Sequence, residues 1–376
     1  MDLKPARILV VDDEPGMLRA VERVLGAEYQ VVGTERSRDA LALAETLQPE
    51  LAIVDIRMPD LDGFELTARL KARFPTIEVI LMTGSIDDFD EKLVRAIRSP
   101  AFYFIQKPFD REVLRTLVER CVELRWRRED HRQNLKRLET EIAEARVFQQ
   151  SLLPEREKVL NGVAVCCRYT PCSALGGDLY DYVAAPEGRT AVLIADVSGH
   201  GVSAAMLTGI VKSAFHAAQV DGFEPDAVVR RVAMGLAAFS FDRFVTLIAG
   251  LLCPAERCLR YVNAGHPPGV LWGPAHAGRW LASTGPLVSP ALPEARWNTA
   301  RVTMRAGDQL LLYTDGVSET LADDEGHAEG PIANAIERSA AGGSSLLDAI
   351  LADVHQKLAG AIQPDDLTLL TARLVP

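Results

Sequence analysis

The sequence predicts an α/β domain with a doubly wound, five-stranded parallel sheet, then a helical linker, then an α+β domain. Residues 7–118 alternate between short apolar runs and stretches with apolar residues at helical spacing. Beyond residue 160, strand-like runs and helical stretches occur in blocks, which indicates largely antiparallel sheets. We therefore place the domains at 1–120, 121–155 and 156–376.

Five apolar runs in the first segment read as buried strands: RILVVD, YQVVG, ELAIVD, IEVILMTG and AFYFIQKP. The helical stretches between and after them are MLRAVERVL, DALALAETL, FELTARLKARF, residues 87–98 and a stretch from residue 109. Strands that alternate with helices form a parallel sheet covered on both faces. Ligands of such sheets bind beyond the carboxyl ends of the strands.

Charged and polar side chains stand where four of these strands end. They are Asp12 and Asp13, Asp55, Thr83, and Lys107. Two carboxylates about 4 Å apart repel by about 4 kcal/mol at an effective dielectric constant of about 20. A divalent cation and Lys107 would relieve that repulsion. The sequence therefore predicts a cation site at this edge of the sheet.

The motifs VVDDE, DIRMPDLDG, LMTG and QKPF, in this order, resemble the response-regulator receiver domain. The resemblance implies that Asp55 accepts a phosphoryl group beside Mg²⁺. The implied Mg²⁺ ligands are Asp13 directly, Asp12 through water, Asp55, and the backbone carbonyl of Arg57. The implied switch residues are Thr83, Phe104 and Lys107, the last before a cis peptide bond. The implied partner is a cognate histidine kinase.

The linker shows a heptad pattern that predicts a two-stranded coiled coil, and hence a homodimer. Its seam residues are Leu117, Cys121, Leu124, Arg128, His131, Leu135, Leu138, Ile142, Ala145, Gln149 and Leu152. Three seam positions are polar, which weakens pairing. A single helix packed against its own domains is the alternative. Pro154 ends the helix.

The third segment contains strand-like runs separated by turns: TAVLIADVS, RFVTLIAGLLC, CLRYVNAG, PGVLWG, DQLLLYTDG and DLTLLTARLV. Helical stretches are predicted near 202–219, 224–239 and 345–359, and the polar stretch 322–343 is predicted to be a loop.

Acidic residues lie beside four apolar runs of this segment. They are Asp178 and Asp181, Asp196, Asp315, and Asp365 with Asp366. One Asp next to Gly is an ordinary turn, whereas four such places suggest a site for a hard cation. Because no Cys or His cluster accompanies them, Mg²⁺ or Mn²⁺ is expected rather than Zn²⁺.

The motifs QQSLLP, GGDLYD, DVSGHG, NAGHPP, TDGVSE and DDLTLL resemble the SpoIIE-like branch of the PPM-type metal-dependent Ser/Thr phosphatases. The resemblance implies a four-layer α-β-β-α sandwich with two Mg²⁺ or Mn²⁺ ions. The implied ligands, which are also the catalytic residues, are Asp178, Asp196, the carbonyl of Val197, Asp315 and Asp365. Asp366 is the less favoured member of its pair.

One position departs from better-known relatives, which carry a general-acid His two residues after the bridging Asp. Ser198 stands there in this chain, and His200 lies two residues further. We expect His200 to support the turn and His266 of NAGHPP to have a structural role.

The net charge of −11 argues against a nucleic-acid partner. Six cysteines without metal spacing indicate free thiols in the cytoplasm, and no apolar run approaches the length of a membrane span. By resemblance, the expected protein is a two-component regulator whose phosphatase acts on a phosphorylated STAS-type anti-sigma-factor antagonist. The alternative is an inactive, receiver-gated adaptor that binds a sigma or anti-sigma factor. A kinase output is disfavoured because no Gly-rich ATP-binding stretch is present.

Overall fold

We describe the chain from a computed structural model, over residues 5–84, 103–199, 201–238, 243–273, 276–323, 325–339 and 344–375. The chain separates into two compact units, Met1–Leu138 and Glu139–Pro376. The three-part division at residues 120 and 155 stays a prediction. No helix in these ranges is both long enough and apolar enough to cross a membrane.

The N-terminal unit contains a five-stranded parallel sheet in the order β2-β1-β3-β4-β5. The strands are β1 Arg7–Val11, β2 Gln30–Thr34, β3 Leu51–Asp55, β4 Glu78–Thr83 and β5 Tyr103–Gln106. The helices are α1 Pro15–Leu25, α2 Ala40–Leu47, α3 Gly63–Arg73 and the start of α4 Arg111–Leu152. The predicted fold class of this unit is confirmed. The helix predicted over 87–98 lies outside the described residues.

Both faces of this sheet are buried, which explains why its strands read as continuous apolar runs. In β1, Leu9 packs in the apolar cluster on one face, while Ile8 and Val10 pack in the cluster on the other. Because side chains alternate along a strand, each strand serves both clusters.

Helix α4 is 42 residues long, and its first turns belong to the core of the N-terminal unit. Val118 and Cys121 are buried there, and Leu117 packs against the same cluster. Further along, Leu135, Leu138 and Ile142 expose 48%, 54% and 39% of their surface. The first part of the predicted seam is therefore occupied by the domain core. Coiled-coil pairing stays a prediction for the rest.

The C-terminal unit contains two antiparallel sheets, ordered β14-β11-β10-β9-β8 and β13-β12-β15-β16-β7-β6. The strands are β6 Glu157–Leu160, β7 Val163–Thr170, β8 Asp178–Ala185, β9 Arg189–Val197, β10 Val245–Cys253, β11 Cys258–Ala264, β12 Gly269–Gly273, β13 His276–Leu281, β14 Ala300–Thr303, β15 Gln309–Tyr313 and β16 Leu367–Leu374.

Helices cover the outer face of each sheet. They are α5 Val202–Ala217, α6 Pro225–Ala237, α7 Asp315–Leu321, α8 Glu329–Arg338 and α9 Ser344–Leu358. Leu193 of β9 packs with α5 and α6, whereas its neighbours Val192 and Ile194 face the second sheet. Leu311 of β15 packs with α8 and α9. Three apolar layers therefore separate four structural layers, and the α-β-β-α prediction is confirmed.

The prediction of a loop over 322–343 is wrong in part, because helix α8 occupies Glu329–Arg338. Ile332 and Ala335 are buried against the second sheet, and they provide the apolar stripe of this helix. With Ile336, which packs beside them, the stripe has three residues, and so short a periodic signal in a polar stretch does not indicate a helix. The seven-residue helix α7 was missed for a similar reason.

Candidate metal centres

The first candidate centre lies at the carboxyl edge of the parallel sheet. Oxygens of Asp12, Asp13 and Asp55 lie within 4.8 Å of one another. The Lys107 Nζ lies 2.6 Å from the Asp12 Oδ2 and 3.2 Å from the Asp55 Oδ2. Burial raises the pKa of Asp55, while Lys107 opposes the shift. The predicted gathering of these four side chains is thus present.

The proposed switch residues lie beside this group. Thr83 ends β4 and is buried, and its Oγ1 has no hydrogen-bond partner within the part of the chain that the structure describes. Phe104 is half-buried on β5, and the Lys107–Pro108 bond is cis, as predicted. Arg57 is exposed just beyond β3. The functional roles of these residues stay predictions.

The second candidate centre gathers carboxylates from distant parts of the C-terminal unit. Asp178 and Asp196 occupy paired positions on β8 and β9. Asp315 begins α7, whereas Asp365 comes shortly before β16. Two strands of one sheet, the start of α7 and the segment before β16 of the other sheet therefore bring these four side chains to one end of the sandwich.

Burial and mutual repulsion raise the pKa values of these carboxylates. Burial raises the pKa of Asp178 well above its ordinary value, and Asp196 and Asp366 add to the shift. Burial, then Asp315 and Asp365, raise the pKa of Asp196 to about 7. Burial and Asp365 also raise the pKa of Asp315. These are signs of converging like charges in a medium of low dielectric constant.

The donor set fits hard cations. Across the described residues, no Lys, Arg or His forms an ion pair with the four carboxylates, which are Asp178, Asp196, Asp315 and Asp365. Oxygen-only ligands suit Mg²⁺ or Mn²⁺, and the positive charge would offset the repulsion.

The tightest acidic group is not the predicted one. In the described ranges, ligand atoms mutually within 4.8 Å in this unit belong to Cys172, Asp365 and Asp366. Burial and Asp366 raise the pKa of the Cys172 thiol to about 11, so the thiol stays protonated at neutral pH. The four predicted ligands do not form such a group within 4.8 Å among the described residues, so their assignment stays a prediction.

Two threonines that the sequence analysis missed hold Asp178. The Thr314 and Thr368 hydroxyls donate hydrogen bonds of 2.8 and 2.5 Å to the Asp178 Oδ2. Both threonines are buried, and both belong to the motifs already singled out. Their position next to predicted ligands in TDGVSE and DDLTLL was the available signal.

Asp366 organises the loop before β8. Its oxygens accept hydrogen bonds from the backbone N–H groups of Cys172 and Gly177, both at 2.8 Å. A further N–H, that of Asp178, lies 3.3 Å away. Asp366 is almost fully buried, whereas Asp365 is half-buried. These bonds favour Asp365 as the ligand of the pair, although this assignment stays a prediction.

Glycines shape the turn that follows Asp196. Gly199 and Gly201 both adopt φ near +84°, a conformation that other residues rarely reach. A Cβ on Gly177 would lie 2.6 Å from the Val197 carbonyl oxygen, so only glycine allows this approach. Ser198 accepts a hydrogen bond of 3.0 Å from the Phe244 N–H and therefore has a structural contact. His200 lies outside the described residues.

Two other polar residues of the motifs have structural contacts. His266 lies 2.8 Å from the Thr246 Oγ1, and burial lowers its pKa to about 3. Asp181, the second acid of GGDLYD, is buried and contacts Lys212 at 2.5 Å and His216 at 2.8 Å. Asp181 therefore joins β8 to α5 rather than to the carboxylate group.

Comparison with known proteins agrees with this geometry. The family model Stage II sporulation protein E (SpoIIE) matches residues 186–375, and the response regulator receiver domain model matches residues 8–119. Phosphoserine phosphatase RsbP of Bacillus subtilis (strain 168) is 30% identical over 209 residues, or 53% of this chain and 51% of RsbP. The chain thus spans about half the length of this relative.

Two solved structures share the fold of the C-terminal unit. The SiaA-PP2C domain of Pseudomonas aeruginosa gives a TM-score of 0.56 at 19% identity, covering 64% of this chain and 98% of that chain. The RsbU and RsbW domains of Rv1364c from Mycobacterium tuberculosis give a TM-score of 0.50 at 24% identity, covering 58% of this chain and 62% of that chain. Since the SpoIIE model accounts for half of the sequence, the chain belongs to the SpoIIE family and joins to it an N-terminal response-regulator receiver domain.

Proposed function

We propose that the C-terminal unit is a metal-dependent phosphoserine and phosphothreonine protein phosphatase, regulated by phosphorylation of Asp55. The observation that carries the proposal is the convergence of four carboxylates without a cationic partner among the described residues. The similarity to a relative named phosphoserine phosphatase supports the same chemistry.

The residues that would hold two Mg²⁺ or Mn²⁺ ions are Asp178, Asp196, Asp315, Asp365 and the carbonyl of Val197. When bound, such ions ionise a water molecule near neutral pH and neutralise the phosphate under attack. Thr314 and Thr368 keep Asp178 oriented. The glycine-rich turn around Gly199 and Gly201 leaves Asp196 accessible.

In the N-terminal unit, Asp55 is the proposed phosphoacceptor, with Mg²⁺ held by Asp12, Asp13, Asp55 and the Arg57 carbonyl. Lys107 lies within 3.2 Å of the Asp55 carboxylate and would neutralise an incoming phosphoryl group. The buried Thr83 hydroxyl, which lacks a partner in the described ranges, is available to bond that group. Thr83 and Phe104 would then change conformation together.

The proposed setting is the bacterial cytoplasm, with a histidine kinase upstream. The proposed substrate is a phosphorylated STAS-type antagonist of an anti-sigma factor, and the proposed assembly is a homodimer formed through α4. The similarity to RsbP supports a phosphoserine substrate, whereas the partner identities rest on the resemblance alone.

Mn²⁺-dependent hydrolysis of p-nitrophenyl phosphate by the full chain tests the proposal. We expect Asp196→Asn and Asp315→Asn each to lower turnover by at least about 10²-fold, since each removes a ligand charge. Glu294→Gln, at an exposed acid outside the predicted ligand set, is the control and should keep full turnover. Turnover retained in both ligand variants would contradict the assigned metal centre, whereas turnover absent from the wild-type chain would favour the inactive adaptor.

A further inference from the structure

Gln149 is a buried polar residue near the end of a mostly exposed helix. It lies in the last turn of α4 and exposes only 9% of its surface, whereas the preceding Val147 and Phe148 expose 68% and 67%. A buried amide needs hydrogen-bond partners, because losing its contacts with water is costly. The partners of this side chain therefore indicate what it does.

Both ends of the Gln149 amide bond to the backbone of one residue. The Nε2 donates a hydrogen bond of 2.7 Å to the Gly176 carbonyl, and the Gly176 N–H donates one of 3.2 Å to the Oε1. The primary amide of Gln or Asn is the neutral side chain that offers a donor and an acceptor in this geometry. Gln149 thus fixes both the position and the orientation of Gly176.

Gly176 lies two residues before the proposed ligand Asp178, at a position without room for a side chain. A Cβ on Gly176 would lie 2.1 Å from both the Asp366 Oδ2 and the Tyr169 hydroxyl. The next N–H groups, of Gly177 and Asp178, bond to that same Asp366 oxygen. The loop is therefore held by Gln149 at one end and by Asp366 at the other.

We infer that Gln149 is a positioning residue for the metal centre, acting through Gly176 on Asp178. The inference rests on the proposed function, because it assumes that Asp178 binds a metal ion. Helix α4 also supplies Val118 and Cys121 to the core of the receiver domain. The helix that begins in the receiver domain therefore ends with a side chain bonded to the metal-site loop.

Mn²⁺ titration of the full chain by calorimetry tests this role without relying on turnover. Every protein compared, the wild-type reference included, carries Asp13→Asn, which removes a ligand of the receiver site so that the titration reports the C-terminal centre. Gln149→Met keeps the side-chain volume and removes both hydrogen bonds. We expect its Mn²⁺ affinity to fall by about 10-fold or more, the usual effect of losing a group that orients a metal ligand. Gln150→Ala, at the exposed neighbouring position, should bind Mn²⁺ as the wild type does.

A second variant separates positioning from a loss of folding. Gln149→Glu can still accept the Gly176 N–H but repels its carbonyl, so we expect an affinity between those of the wild type and Gln149→Met. Far-ultraviolet circular dichroism of the metal-free proteins should be unchanged. If Gln149→Met folds and binds Mn²⁺ as tightly as the wild type, the inference is overturned. If Gln149→Met does not fold, wild-type Mn²⁺ affinity in Gln149→Glu overturns it instead. Failure of the wild type itself to bind Mn²⁺ contradicts the proposed function first and the inference with it.

Discussion

Thr368 on β16 donates a hydrogen bond to Asp178 on β8, and this contact of 2.5 Å bridges the two sheets of the sandwich inside the protein. Thr314 makes a second bridge to the same oxygen. The Thr314 Oγ1 also accepts a hydrogen bond of 3.1 Å from the Thr368 N–H. The least accessible of the proposed carboxylate ligands is therefore oriented by the sheet opposite its own.

Thr368→Val should weaken Mn²⁺ binding by about 10-fold, because a buried hydrogen bond to a carboxylate contributes roughly 1.5–3 kcal/mol. Thr371→Val is a matched control on the same strand, since the Thr371 Oγ1 is buried without a hydrogen-bond partner in the described ranges. Its substitution should leave Mn²⁺ binding unchanged. Calorimetry in the Asp13→Asn background measures both affinities, and wild-type affinity in Thr368→Val would show that the bridge has no role.

The start of α7 depends on a close contact between Gly316 and Asp366, the residue just before β16. A Cβ on Gly316 would lie 2.1 Å from the Asp366 carbonyl oxygen, so Gly316→Ala must shift the start of α7, where Asp315 lies. We expect a loss of at least about 2 kcal/mol in the free energy of unfolding and weaker Mn²⁺ binding. Urea unfolding measures the first effect.

Gly330→Ala provides the comparison for this glycine. Gly330 also occupies the second position of a helix, α8, and an added Cβ there meets nothing within 4 Å. Alanine should stabilise this helix by up to about 1 kcal/mol. A similar loss of stability in both variants would mean that the contact with Asp366 does not decide the outcome.

The sequence predicted the acidic residues of the candidate site better than it predicted the residues that hold them in place. Asp178, Asp196 and Asp315 stand out because an acid beside an apolar run is unusual, and this signal is local. The bonds from Thr368 and Gln149 are visible only after residues 190 and 27 positions away are brought together. The fold classes were readable from periodicity, whereas short α8 carries too few apolar residues to show a period.

Asp55→Asn should abolish phosphorylation of the full chain by acetyl phosphate and Mg²⁺, measured by phosphate-affinity electrophoresis. Asp62→Asn is the control, because Asp62 caps α3 by accepting the Glu65 N–H at 2.7 Å and Asn caps helices equally well. The control should be phosphorylated as the wild type is. Phosphorylation of the Asp55 variant at the wild-type level would contradict the assignment.

His266 should make the C-terminal unit sensitive to mild acid. Burial lowers its pKa from 6.5 to about 3. Between these two pH values the imidazole is protonated in the unfolded chain and neutral in the folded protein. The stability contributed by this group is complete above pH 6.5 and is lost as the pH falls towards 3. At pH 5 the expected loss is about 2 kcal/mol.

Urea unfolding of the wild type and His266→Gln at pH 7 and pH 5 measures this effect. Gln cannot ionise, so the loss between the two pH values should be about 2 kcal/mol smaller in the variant. His355→Gln, an exposed position on α9, should behave as the wild type does. Parallel losses in the wild type and His266→Gln would show that other groups cause the acid sensitivity.

The exposed apolar residues of α4 should pair with a second copy of the chain. Leu135, Leu138 and Ile142 follow heptad spacing, and a seam of exposed leucine and isoleucine is stable in water when a partner helix covers it. Sedimentation velocity of the wild type should therefore give twice the mass of one chain. Leu138→Glu places a charge in the seam and should yield the monomer. Ala143→Glu adds the same charge at an exposed position outside the seam, and it should leave the dimer intact. A wild-type chain that sediments as a monomer at micromolar concentration would contradict the pairing and favour the single-helix alternative.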